Sequence, residues 1–309
     1  MGKVKPTNDL AFKKTLSSEE NKDILQGLIS DFYEVEVENL VIENPYSISD
    51  YKEILEGKEI FRLRPTIKDI AASFKIADFV SECQIRASKF FDERAVYYPF
   101  DRFCRNYNKA GAMLLDSEGR PNRYSSLRPV YALNILGYTH FQKTDGADDD
   151  ALHIFEFYDI KHQRRYERDL VKVAFFELTK NQGLTANQGH WLDYFNKGVV
   201  DRTAPDYIKK ASQVIEFTNM AEEEKIVIAE LEKAEAIRVA ENQQSFLDGQ
   251  NQGFIEGQNR GFLEGQNQGF LEGQQILKVE TAKLMLSYGE PIEKIIRFTG
   301  LSADFVESL

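Results

Sequence analysis

The sequence predicts a mixed α/β domain followed by a long helical extension. Three stretches carry this reading: alternating residues between Arg64 and Arg86, an almost wholly apolar run from Pro129 to Tyr138, and an Ala-, Glu- and Lys-rich segment from Met220 that leads without proline into an eight-residue repeat. Strict alternation marks a strand with one covered face, an unbroken short apolar run marks a strand covered on both, and a long Ala/Glu/Lys run marks helix. At 309 residues the chain is long enough for one sizeable domain with an appendage, or for two. A 42% hydrophobic content with 22 Phe and 14 Tyr supplies a packed core.

Taken in order, Thr7 or Asn8 can cap a helix that Pro6 keeps from starting earlier, and Leu10, Phe12, Leu16, then Ile24, Leu25, Leu28, Ile29 and Phe32 recur at helical spacing. Asp9 and Lys13 lie four apart on one face, either as a surface ion pair or as members of a site. Val35 to Ile42 alternates β-branched residues until Asn44-Pro45 breaks the run. In the hairpin that follows, Asp69, Ala71 and Ser73 share one face of the first strand, and Val80, Glu82 and Gln84 share one face of the second. Their neighbours are Ile70, Ala72, Phe74, Ile76, Phe79, Cys83 and Ile85, the composition of a mostly buried sheet. Asp69 and Glu82 therefore either pair with Arg64, Lys68, Lys75 or Arg86 on a solvated face, or hold a divalent cation. Hard oxygen ligands suit Mg²⁺, with Mn²⁺ or Ca²⁺ as alternatives, and Mg²⁺ leans on one or two carboxylates plus a substrate phosphate.

A helix is expected from Ala87 to Tyr107. Its cations Arg86, Lys89, Arg94, Arg102 and Arg105 either form a solvated face or meet a nucleic-acid backbone, with Tyr97 or Tyr98 against the sugar. Asp116 to Arg123 reads as a loop, Pro129 to Tyr138 as a fully buried strand, Gly146 to Asp150 as an acidic turn, and Ile154 to Tyr158 as a strand with Glu156 outward. Asp169 to Leu178 continues the β region, and the apolar setting of Glu177 makes it a further candidate for the site. His140, His153, His162 and His190 show no ligand spacing. Helices resume near Gln188, where Trp191, Tyr194 and Phe195 cover the sheet.

In the repeat, Phe246, Phe254, Phe262 and Phe270 recur every eight residues within units of the form G-Q-N-Q-G-F-L-E. Glycines at 253, 257, 261, 265, 269 and 273 each cost a helix roughly 1 kcal/mol against Ala. The segment is expected either to self-associate along these small residues, which wind right-handedly around a helix, or to serve as a flexible linker. No strand precedes it and no Lys-Ser/Thr follows it, so a phosphate cradle is excluded. The tail holds three short helices: Gly289 ends the first, Pro291 opens the second, Gly300 ends it and Ser302 caps the third. Lys294 and Arg297 leave the tail as either a weak DNA reader or a protein contact. The expected divisions are 1–217, 218–275 and 276–309.

A formal net charge of −11 argues against tight nonspecific binding to phosphate across the whole surface and leaves room for a local basic patch. Two cysteines, Cys83 and Cys104, give neither a zinc spacing nor a disulfide framework, no apolar run approaches membrane-spanning length, and the first ten residues lack a signal-type apolar stretch. A soluble, cytoplasmic protein is the expectation.

The order D-(about a dozen residues)-E-x-Q followed by an aromatic, basic helix resembles the metal-binding core of PD-(D/E)xK nucleases. Within that superfamily the chain is similar to the Rpn-type recombination-promoting nucleases, often labelled transposases. Asp9-Leu10-Ala11-Phe12-Lys13 resembles an opening D-x-x-F-K. Phe91, Arg94, Tyr97 and Tyr98 resemble an F-x-x-R-x-x-Y-Y helix, and Tyr124, Leu127, Pro129 and Val130 a Y-x-x-L-x-P-V approach to a core strand. The third signature residue of the superfamily is Lys, and Gln84 stands there, as in Rpn-type nucleases. The resemblance implies a restriction-endonuclease-like core, a mixed central sheet flanked by helices, with a C-terminal helical extension. It also implies a Mg²⁺-dependent DNA endonuclease linked to recombination, mobile elements or phage defence. Asp69 and Glu82 would be the metal ligands and Gln84 the third catalytic residue. Asp9, Lys13, Arg94 and Tyr97 would support them, with Arg94 supplying the positive charge that Gln84 lacks. DNA would meet Arg86, Lys89, Arg102 and Arg105, and the repeat would join subunits of a homo-oligomer. The competing expectation is a catalytically degenerate nuclease fold that tethers DNA or self-assembles, which Gln84 and the acidic balance favour.

Overall fold

The computed structural model describes residues 2–56, 69–108, 114–115, 117–142 and 149–309. The start of the expected hairpin through Lys68, Asp116, and the acidic turn from Gly146 to Asp148 lie outside the described residues.

Helix α1, Asp9–Ser17, is capped by Asn8, whose side-chain oxygen accepts the backbone N–H of Leu10 and of Ala11. Helix α2, Lys22–Tyr33, ends on Glu34 in a left-handed conformation (φ 55°). The expected strand from Val35 shrinks to β1, Val41–Ile42, because Asn39 also takes a positive φ (54°) and turns the chain out of the extended region. Helix α3 is Ile48–Glu56. The hairpin follows as β2, Ile70–Ser73, and β3, Asp78–Gln84, paired antiparallel with Ala71 opposite Val80. Helix α4, Phe91–Arg105, begins four residues later than the spacing suggested because Phe90 is left-handed (φ 62°).

Strands β4, Leu114–Leu115, and β5, Pro121–Asn122, form a small hairpin before β6, Val130–Leu136. Strand β7, Leu152–Phe155, stops short of Glu156, and β8, Tyr158–Asp159, pairs with β9, Arg164–Arg165. Strand β10 is Val171–Glu177. Thr185 and Gln188 cap each other's backbone at the start of α5, Ala186–Lys197, and α6, Asp206–Val214, follows.

The six-stranded sheet runs β1-β2-β3-β6-β10-β7. Strands β3 and β10 flank β6 in parallel, while β1, β2 and β7 add antiparallel edges. The alternation of each central strand divides its side chains between two cores. Phe79 on β3, Tyr131 and Leu133 on β6 and Phe176 on β10 join the larger core, with Phe12, Leu25, Phe32 and Trp191 from the helices. Leu136, Val173 and Phe175 face the other way, onto Phe91 and Ala95 of α4. At the end of the β3–β6 ladder the Gly137 N–H donates to the Gln84 carbonyl at 3.0 Å, and a Cβ on Gly137 would come within 2.8 Å of the Ile85 carbonyl oxygen. Only glycine lets the two strand ends approach this closely.

The chain forms two compact units, Met1–Ala234 and Glu235–Leu309. Helix α7, Glu222–Ser287, begins in the first, where Val227 and Ile228 enter the main core and Glu224 accepts Lys14 Nζ at 2.6 Å and the Tyr46 hydroxyl at 2.7 Å. The second unit contains the octad repeat as continuous helix, so the linker alternative is not what the structure adopts. In it Gln252, Arg260 and Gln268 each reach a Glu four residues on. Its chain turns at Gly289 into α8, Ile292–Thr299, and α9, Ala303–Glu307, which enclose Ala282, Ile295, Leu301 and Val306. The first of the three expected tail helices is thus the end of α7. Among the described residues no helix is long and apolar enough to cross a membrane.

Candidate active site

On the α4 side of the sheet a cleft of about 210 Å³ opens between the β2–β3 hairpin and α4. Strand β3 must keep Phe79 and Ser81 buried in the main core, and its two-residue period then delivers Val80, Glu82 and Gln84 to the cleft side. The last paired residues of the hairpin are Ile70 and Ser81, so one step further brings Asp69 level with Glu82. Both carboxylates line the cleft, together with Asn44, Tyr98, Arg105 and Asn134.

The Glu82 carboxylate, 15% exposed, accepts Arg94 Nη2 at 2.7 Å. The same nitrogen donates to the Gln84 side-chain oxygen at 2.8 Å, and the Gln84 amide nitrogen donates to the Arg86 carbonyl at 2.7 Å. Arg94 lies one helical turn into α4, with its guanidinium 5.7 Å from the centre of the Phe91 ring. An acid oxygen and an amide oxygen two residues apart thus already converge on one cationic nitrogen.

Asp69 is fixed through its backbone. Its carbonyl accepts Lys13 Nζ at 2.8 Å and Asn44 Nδ2 at 2.7 Å, while Asn44 Oδ1 takes the Ala71 N–H at 2.8 Å. Asn44 thereby continues the sheet pairing where β1 has ended. Lys13 is 2% exposed, so it does not belong to a surface ion pair. Burial pulls its ammonium down to about 8 from an ordinary 10.5, against the opposing pull of Asp69 and Asp50. Asp9 starts α1, and its carbonyl accepts the Tyr51 hydroxyl at 3.2 Å. It stands outside the cleft lining.

Of the two tyrosines in α4, Tyr97 is 61% exposed and Tyr98 lines the cleft, where burial, then Asp69 and Glu82, raise its phenol pKa. Arg102 lies on the cleft but is taken up by neighbouring acids. It binds Asp78 at 2.9 Å and forks onto Glu43, tying the start of β3 to the residue after β1. Arg105 is 73% exposed at its side chain with Asp101 at 2.7 Å, and Lys89 rests 5.0 Å from the centre of the Phe90 ring. Arg86 and Lys89 are exposed beside the end of β3.

Glu177 does not reach the cleft lining. It is fully buried, accepts the N–H groups of His140 and Phe141, and lies 2.7 Å from Lys180 Nζ and 3.3 Å from His153, holding the loop after β6. A larger groove of about 330 Å³ on the other flank of α4 is mostly apolar, lined by Val96, Phe100, Phe155, Phe157, Val173 and Phe175, and its two acids, Asp92 and Glu156, are bound by His140 and Arg165.

Sequence reasoning missed Asn44, Tyr98 as the inward tyrosine, and Asn134. Asn134 faces Glu82 across the β3–β6 ladder inside a run that read as almost wholly apolar. Its single amide in an apolar strand was the available signal.

No group of three or more His, Cys, Asp or Glu side chains that could hold a metal occurs among the described residues. The donor set is instead the acids Asp69 and Glu82 on the cleft, with the Gln84 amide oxygen sharing Arg94 Nη2 with Glu82, and such oxygens fit a hard divalent ion completed by water and phosphate. A mixed six-stranded sheet flanked by helices, with a hairpin that brings Asp69 level with Glu82 beside Arg94 of α4, is a PD-(D/E)xK-type fold. The sequence profile described as PD-(D/E)XK nuclease family transposase matches residues 6–243, and the chain belongs to that family. No curated protein and no solved structure matches the chain significantly. Nucleases of this superfamily generally use divalent metal ions.

The buried Lys13 makes a stability prediction. Between about pH 8 and 10.5 the unfolded chain keeps a proton on Lys13 that the folded chain has released, so the contribution of this group to stability grows with rising pH in this window. Relative to Lys13→Met, which lacks the group, the unfolding free energy of the wild type rises by up to about 1.4 kcal/mol per pH unit. Urea unfolding of both proteins across the window measures it, and a pH-independent difference between them refutes it.

Proposed function

We propose that the protein is a divalent-metal-dependent DNA endonuclease. The observation that carries this reading is that Asp69, one step beyond the last pair of the hairpin, lies level with Glu82, and both line one cleft where Arg94 binds Glu82. Asp69 and Glu82 would hold the ion, with Mg²⁺ the natural choice and Mn²⁺ or Ca²⁺ accepted by the same oxygens. A divalent ion held there would supply charge neutralisation at the scissile phosphate and a more acidic water. Gln84 orients that water through its amide. As the water oxygen joins phosphorus, the bond to the leaving sugar oxygen would break and that oxygen would take a proton from solvent, while Glu82, besides holding the ion, would accept the attacking water's proton. Lys13 and Asn44 keep Asp69 level with Glu82. Arg86, Lys89 and Arg105 would meet the DNA backbone, a local basic edge that a chain of net charge −11 needs if it is to approach phosphate. Arg102 is left as a strut. The transposase part of the family description suits DNA of mobile elements as the setting, in recombination, transposition or phage defence, inside the cytoplasm.

Plasmid nicking tests the reading. Wild-type protein should nick with Mg²⁺ or Mn²⁺, and Asp69→Ala and Glu82→Ala should each lose at least about 100-fold. Equal cleavage by all three, or none by the wild type with either ion, would leave a DNA-tethering scaffold as the better description.

We also propose that the octad helix joins copies of the chain. Phe246, Phe254, Phe262 and Phe270 are each 66–70% exposed, and a Cβ on any glycine from 249 to 273 would meet open space. Those glycines weaken an isolated helix, while their small size permits close approach of a second one. Light scattering should give a multiple of 35.6 kDa for the full chain and a monomer after truncation beyond Ala234. A monomeric full chain would refute it.

A further inference from the structure

We infer that Arg94 is exchanged between two partners during the reaction: it occupies the cation position of the site until metal arrives, and then moves to the DNA phosphate. The inference rests on the metal-dependent reading above. One nitrogen of Arg94, Nη2, lies 2.7 Å from Glu82 Oε1 and 2.8 Å from Gln84 Oε1. These are side-chain oxygens of the E-x-Q pair itself, one charged and one neutral, and hard oxygens of this kind are what a divalent ion takes. A single guanidinium nitrogen between them satisfies the carboxylate in the way an ion would, and it keeps a half-buried acid from standing uncompensated.

A 2+ ion and a 1+ guanidinium cannot comfortably share one carboxylate of low solvent exposure, since their mutual repulsion grows as water is excluded. Metal binding therefore weakens the hold of Glu82 on Arg94. The guanidinium is equipped to leave. Its side chain is 34% exposed against 15% for Glu82, and its buried Nε has no hydrogen-bond partner among the described residues to hold it in place. Released, it presents a flat fork of N–H donors that matches two phosphate oxygens. Gln84, which stands where a cationic lysine is usual, cannot offer that charge. The two facts complement one another: a lysine at position 84 would repel Arg94 from Glu82, whereas glutamine accepts its hydrogen bond.

The exchange separates metal affinity from cleavage. Removing Arg94 should remove a competitor, so Arg94→Ala should bind Mn²⁺ about 10- to 100-fold more tightly than wild type while cleaving at least about 10-fold more slowly at saturating Mn²⁺. Titration calorimetry or Mn²⁺ electron paramagnetic resonance reads the affinity directly and single-turnover nicking reads the rate. A residue that merely braces Glu82 would give the opposite sign, weaker Mn²⁺ binding in the variant. Should Arg94→Ala fail to fold by circular dichroism, Arg94→Gln keeps a donor to Glu82 without the charge and carries the same expectation. Equal or weaker Mn²⁺ binding in a folded variant, or undiminished cleavage, overturns the exchange and leaves the nuclease reading standing. Absence of Asp69-dependent Mn²⁺ binding by the wild type overturns the nuclease reading itself.

Discussion

Strand β3 can bury Phe79 and Ser81 in the main core only by turning Val80, Glu82 and Gln84 to the opposite side, and that alternation governs the rest of the molecule. A slip of one residue would drive the Glu82 carboxylate among Leu25, Phe32 and Trp191 and expose Phe79, so the apolar core enforces the register that the acids need. The parallel ladder to β6 holds the strand along its whole length, and Gly137 lets it close at the Gln84 end. Asp78, fully buried at the other end, is held by Arg102 and Asn106, each at 2.9 Å. Glu82 therefore sits on an element fixed at both ends.

Polar support surrounds that element unevenly. Asp69 belongs to no strand pair and owes its place to two donors on its carbonyl, one from α1 and one from the loop after β1. Glu82 owes its place to the sheet and meets α4 through Arg94. One carboxylate is thus placed by hydrogen bonds from distant parts of the chain and the other by strand geometry. This division suits a site in which metal and phosphate complete what the protein leaves open.

Much of this was legible in the sequence for a simple reason: period two is short enough to read locally. The faces assigned to Asp69 and Glu82, the buried strand at 130–136, the turn residues Gly289 and Gly300, and the likeness in F-x-x-R-x-x-Y-Y that singled out Arg94 all depend on neighbours a few residues away. What was not legible depends on contacts far apart in the chain. Lys13 reads as a surface residue because a four-residue spacing to Asp9 suggests an ion pair, yet its ammonium ends on a carbonyl 56 residues away. Arg102 reads as a DNA contact until Glu43 and Asp78 are seen to surround it, and Asn44 reads as a strand breaker because its amide acts only once β2 lies beside it. The strand expected from Val35 failed at Asn39, where a left-handed residue overrode β propensity.

The repeat shows the converse case, strong local order with little packing around it within the chain. Eight residues advance a helix by about 80° beyond two full turns, so its phenylalanines spiral around the axis and present no straight seam. Whatever covers them must wind with them. The proposed hydrolytic role stands or falls independently of this segment, on whether Asp69 and Glu82 grip a common cation. Anomalous diffraction from crystals of the full chain soaked in Mn²⁺ resolves that question directly. A single strong peak bridging Asp69 and Glu82 is the expected result, and a peak elsewhere, or none at saturating Mn²⁺, would show that the two acids serve only the fold.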